Sequence, residues 1–168
     1  YNPGGRLAVT FPKSVGQIPF AFPFKPGSDE SSETSVYGAL YPFGHGLSYT
    51  TFQYSDLAIS PSKQGVQGNI SISCTIKNIG QREGDEVVQL YLRDEVSSVT
   101  TYTQVLRGFE RITLKPEASH TVHFELTPQE LGIWDKQMNF TVEPGMFKVM
   151  IGSSSKDIRL KGEFEIAQ

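Results

Sequence analysis

The stretch Asn69-Ile70-Ser71-Ile72-Ser73-Cys74-Thr75-Ile76-Lys77 alternates apolar and polar residues without a break. Successive side chains of a β-strand point to opposite faces, so this spacing predicts a strand with Ile70, Ile72, Cys74 and Ile76 on its apolar face. The period of two persists on either side. Upstream, Phe52-Gln53-Tyr54-Ser55 leads into Leu57-Ala58-Ile59 with the offset of a bulge. Downstream, residues 86–92 (EVVQLYL) are apolar on nearly both faces, as a central strand would be. Residues 105–114, 121–126, 138–142, 146–151 and 158–166 complete the series. Turn residues separate these runs: Asn78-Ile79-Gly80 through Gly84-Asp85, Lys115-Pro116-Glu117, Glu143-Pro144-Gly145 and Gly152-Ser153-Ser154-Ser155. Short alternating strands divided by such turns predict an all-β, antiparallel β-sandwich. Only Thr127-Pro128-Gln129-Glu130-Leu131 reads as helical, with Thr127 as cap, Pro128 first and Glu130 third.

Residues 1–40 differ. Half of the ten prolines fall here, and each interrupts a ladder or a helix. Leu7-Ala8-Val9-Thr10-Phe11 predicts one short strand. Residues 18–24 (IPFAFPF) are apolar but twice broken by proline, which suits an extended segment laid on another surface. Residues 25–35 (KPGSDESSETS) read as a loop. Nothing in this segment can form a core of its own.

The chain of 168 residues has the size of one domain with something appended. With a net charge of −3 and no basic stripe, it excludes nucleic acid as a partner. No apolar run approaches the ~20 residues that span a bilayer, so no membrane partner is expected. The opening YNPGGRLAVTFP lacks the features of a signal peptide, which says little about compartment if the chain is a piece of something longer. Cys74 is the only cysteine, predicted as a buried small hydrophobe with no neighbour that would activate it.

Chemistry-bearing residues are sparse. His120 and His123, three apart on a strand, point to opposite faces, and His45 stands alone between glycines, so no metal ligand is assigned. Gly46-Leu47-Ser48-Tyr49-Thr50 lacks the second glycine of a nucleophile elbow. Asp85-Glu86 and Asp94-Glu95 lie at strand ends, where carboxylates are expected to be solvated. Glu110, Glu125, Glu163 and Glu165 occupy the polar positions of their strands. No catalytic or substrate-binding residue and no cofactor is assigned. Trp134 is expected in the core or in a domain contact, with a sugar-stacking face formed with Tyr91 and Tyr102 as the rival reading. Asn69-Ile70-Ser71 and Asn139-Phe140-Thr141 match the glycosylation acceptor pattern, but both are predicted in strands.

Taken in order, Asn2-Pro3-Gly4-Gly5-Arg6-Leu7, Val15-Gly16-Gln17-Ile18-Pro19, Leu40-Tyr41-Pro42-Phe43-Gly44-His45-Gly46-Leu47-Ser48-Tyr49, Gly84-Asp85-Glu86-Val87-Val88-Gln89-Leu90-Tyr91, Leu106-Arg107-Gly108-Phe109-Glu110-Arg111 and Glu143-Pro144-Gly145-Met146-Phe147 resemble the C-terminal region of a family 3 glycoside hydrolase. That family contains β-glucosidases and β-xylosidases. The resemblance implies an immunoglobulin-like, fibronectin type III-like sandwich over residues 47–168. It implies that residues 1–46 are the tail end of a preceding α/β domain plus a linker. The family's catalytic aspartate and glutamate lie on domains that this chain lacks, so the chain by itself is expected to be inactive. The partners implied are the catalytic domains of the same parent chain and, for the parent, an oligosaccharide substrate. A periplasmic or extracellular placement follows from the family alone.

Two functional readings result: a structural domain that stabilises a β-glycosidase, and a carbohydrate-binding module that holds polysaccharide near the enzyme. Tyr41-Pro42-Phe43-Gly44-His45-Gly46-Leu47-Ser48-Tyr49-Thr50-Thr51-Phe52 is read as the handover between the two parts. Gly44 and Gly46 let the chain reverse there, and Tyr41, Phe43, Tyr49 and Phe52 pin it by burial. The N-terminal segment is expected to fold back along the sandwich or to be covered by another molecule. If exposed, residues 18–24 offer a surface for a homo-oligomer.

Overall fold

Ile70, Ile72, Cys74 and Ile76 are all fully buried in the computed structural model, which describes residues 1–17, 21–28 and 38–168. Three residues of the IPFAFPF stretch and most of the following polar loop lie outside the described residues. The strands in chain order are β1 (Phe11–Pro12), β2 (Ala39–Tyr41), β3 (Phe52–Ser60), β4 (Lys63–Gly65), β5 (Ile70–Asn78), β6 (Gly84–Asp94), β7 (Val105–Leu114), β8 (Ser119–Leu126), β9 (Ile133–Trp134), β10 (Phe140–Thr141), β11 (Gly145–Gly152) and β12 (Ile158–Ala167). One sheet has the order β3-β5-β8, the other β4-β12-β11-β6-β7. All pairings are antiparallel except β12 with β4. The inward residues of the two sheets meet in one core: Ile70, Ile72, Cys74, Ile76 and Val122 from the first, Val88, Leu90, Leu92, Phe147, Val149, Ile151, Phe164 and Ile166 from the second. Burying a side chain of this size contributes about 1.5–3 kcal/mol, so this layer supplies the main drive to fold.

Local departures have local causes. The expected bulge falls between Ser55 and Ala58, where Asp56 takes a φ of 54°. The helical turn α1 (Pro128–Leu131) is closed by a capping box: the Thr127 hydroxyl accepts from the Gln129 amide, and the Glu130 carboxylate accepts from the Thr127 amide at 2.8 Å. The expected strand over residues 138–142 shrinks to two residues, since Met138 sits at a φ of 64° and leaves the ladder. The expected strand over residues 7–11 also fails. Leu7 makes a single bridge, donating to His45 O and accepting from Gly44 N, and only Phe11 and Pro12 pair with β2.

Candidate functional site

The N-terminal segment lies as a strap across the outer face of β6, which pairs with β11 on one side and β7 on the other in the larger sheet. Side chains at even positions of β6 enter the core, so Gln89 and Tyr91 point outward, yet both are buried. Phe22 covers Tyr91 edge-on at 5.7 Å and stacks on Phe43 at 4.5 Å. The Gln89 amide donates to Gly44 O at 3.2 Å and to Ser153 O at 2.7 Å, while its carbonyl accepts from the Tyr91 hydroxyl. One glutamine thus ties the strap to the sheet and to the β11–β12 turn. Backbone bonds add to it: Ser155 N donates to Phe43 O, and Thr103 N to Phe24 O. The segment therefore folds back along the sandwich, the first of the two expected arrangements.

Gly44 and Gly46 serve residues 41–52 differently. Gly44 has a φ of 81° and lies against the Gln89 amide. Gly46 is needed for space, since an added Cβ would overlap Gly5 O and the Arg6 guanidinium. Of the four aromatic pins, Phe52 is buried and Phe43 is half-buried. Tyr41 and Tyr49 are exposed, so burial does not hold them. His45 stacks on Tyr41 at 5.0 Å. Phe11, Tyr41, His45 and Leu47 line one shallow apolar concavity on the outer side of the strap.

Glu86 is not solvated, contrary to expectation. It shares the parity of Val88, Leu90 and Leu92, so it faces the end of the core, and Arg6 reaches it across the strap at 2.6 Å. The side chains are 10% and 5% exposed, which makes this a buried ion pair. The Tyr54 hydroxyl sits nearby without a hydrogen-bond partner among the described residues. Burial first, and the Glu86 charge second, push its phenol far above the ordinary range. Asp85, on the opposite parity, accepts from Thr113 at 2.6 Å and from Arg111, and these bonds hold its carboxyl below the ordinary range. Neither acid has a free carboxylate across a cleft. Glu95 is shared by Lys148 and Arg93, Glu165 pairs with Lys63, and Glu125 accepts from Asn69. No group of three or more metal-ligating side chains occurs among the described residues.

Trp134 is not in the core of this chain: it is 59% exposed and meets Phe140 edge-on at 5.5 Å. It lines a groove of about 250 Å3 beside the loop over residues 95–104, together with Tyr102, Asp94, Arg107 and Glu130. It also lines a wider, neighbouring concavity with Gln67, Gln129, Phe140 and Thr141. Tyr91, the third aromatic of the rival sugar-binding reading, is covered by the strap and takes no part. Asn69 and Asn139 are both exposed and stand just before their strands, not within them.

Residues 86–155 match the fibronectin type III-like domain family. Over 99% of its length the chain is 42% identical to the periplasmic β-glucosidase of Salmonella typhimurium, and over 95% it is 43% identical to a β-xylosidase of Formosa agariphila. It superposes on a β-glucosidase from Erythrobacter marinus with a TM-score of 0.92 at 36% identity, covering 99% of this chain and 22% of that one. Residues 86–155 are thus a fibronectin type III-like domain, and nearly the whole chain is similar to one part of these β-glucosidases and β-xylosidases. The chain spans only 23% of the length of the Salmonella and Formosa relatives. The contacts that anchor the strap were missed in sequence because Arg6, Glu86 and Gln89 carry no motif of their own for a buried contact. For Glu86 a signal did exist: its parity within β6 already put it on the core side.

Proposed function

We propose that residues 47–168 are a non-catalytic fibronectin type III-like domain that stabilises a β-glycosidase, and that residues 1–46 are the end of its preceding α/β domain and the linker. The observation that carries this reading is the two-sided strap. One side is locked to the sandwich through Gln89 and the Arg6–Glu86 pair. The other leaves Phe11, Tyr41 and Leu47 exposed around one concavity, a greasy face fit to meet the catalytic domains of the same chain. The parent hydrolyses O-glycosidic bonds in β-linked sugars, as the names of its relatives suggest, and its location is periplasmic or extracellular, supported by the relative named periplasmic.

Tyr41→Ser with Leu47→Asp tests this in the parent enzyme. The expected outcome is a thermal midpoint lowered by several degrees, with aryl β-glucosidase or β-xylosidase activity lost at that same lower temperature. In the 168-residue chain alone the same pair of changes leaves the midpoint unaltered, and that chain releases no nitrophenol from aryl β-glycosides. A parent that melts as the wild type does would remove the docking role.

A further inference from the structure

The groove at Trp134 takes no part in the strap. Large aromatic side chains normally bury their area, so an exposed tryptophan on a concave surface calls for a ligand that would cover it. Tyr102, also exposed, lines the same groove. Among the polar groups, Glu130 is fixed by the capping box and Arg107 donates no hydrogen bond to any described residue. Asp94 accepts from the Val96 amide at 3.3 Å. Groups of both signs line one small space, so neither a cation nor an anion is selected by net field. What suits such a lining is a neutral molecule with an apolar face and a rim of groups that both donate and accept. A pyranose ring with all hydroxyls equatorial has that shape, with axial C–H bonds on its faces and hydroxyls around its edge. The groove volume of about 250 Å3 falls below the roughly 300–1,000 Å3 of drug-sized sites and matches a small unit such as one sugar ring. The wider concavity on which Trp134 also borders, with Gln67, Gln129 and Thr141, gives adjoining rings of the same chain a place to lie.

We propose that Trp134, Tyr102 and Arg107 form a binding site for β-linked oligosaccharides of glucose or xylose, with the sugar face stacked on the indole and the guanidinium donating to its hydroxyls. This site is independent of the docking role of the strap, and either can fail without the other.

Trp134 is the only tryptophan of the chain, so its fluorescence reports on the groove directly. Cellotetraose or xylotetraose titrated into the 168-residue protein should shift the emission saturably at millimolar concentrations or below. Maltotetraose, whose α-linkages curl the chain away from a flat surface, should not. By calorimetry, Trp134→Ala and Arg107→Ala should each weaken binding on the order of tenfold or more. Tyr49→Ala, on the strap, should leave it unchanged, and circular dichroism should show all three variants folded. Three outcomes overturn the proposal: no emission shift with either β-linked sugar, an equal response to maltotetraose, or unaltered calorimetric binding in both groove variants. A shift that depends on protein concentration without sugar also overturns it, and assigns the groove to a second copy of the chain.

Discussion

Cys74 shows what a single burial does to reactivity. Its sulfur stands among Ile72, Ile76 and Val122 with no solvent exposure, and burial pushes its thiol up to about 11. The thiolate is the reactive form, so a raised pKa leaves very little of it at neutral pH, and reaction grows only as pH climbs toward that value. Iodoacetamide at pH 8 should leave the native protein unlabelled over a time in which urea-unfolded protein labels completely, as read by intact mass. Fast labelling of the native protein would contradict the packing around it. Gln89 makes the opposite point about polarity: a side chain on the outer face of a sheet can be as buried as a core residue if something lies over it.

At the scale of elements, the loop around Gly44 is where strand and strap are fitted to each other. Gly44 combines a left-handed φ with contact against the Gln89 amide, whereas a Cβ on Gly5, also on the strap, would meet nothing. Gly44→Ala therefore incurs about 1–2 kcal/mol of backbone strain, plus the cost of displacing a buried amide that holds three partners. Urea unfolding should show Gly44→Ala destabilised by about 2–4 kcal/mol and Gly5→Ala within about 0.5 kcal/mol of the wild type. Equal midpoints for the two variants would mean that the strap is not fixed at Gly44. The strands themselves were legible because their spacing is a local property. Their lengths were less so, since Met138 and Leu7 end or shorten pairing through backbone angles and single bridges that composition does not reveal.

At the scale of the molecule, the Arg6–Glu86 pair joins positions 80 residues apart in sequence and closes one end of the sandwich. Removing one partner strands the other's charge in a poorly solvated place, which costs about 3–5 kcal/mol, while replacing both by apolar residues of like size is close to neutral. A double-mutant cycle with Arg6→Leu and Glu86→Leu should show that recovery in the unfolding free energy. The exposed Lys63–Glu165 pair should show about 1 kcal/mol or less in the same cycle. Small losses in both single variants at Arg6 and Glu86 would mean that water reaches the pair and that the strap is only loosely held.

The order of apolar and polar residues by itself determined the long strands of the sandwich, their turns, the capped turn at Thr127 and the buried Cys74, because side-chain direction along a strand is set by position alone. It also carried the likeness to the family 3 glycoside hydrolases. Tertiary structure alone decided that Gln89 and Tyr91 would be covered, that Arg6 would meet Glu86, and that Trp134 would face outward beside a groove. Burial belongs to two surfaces at once, and spacing within one strand says which way a side chain points but not what lies across from it.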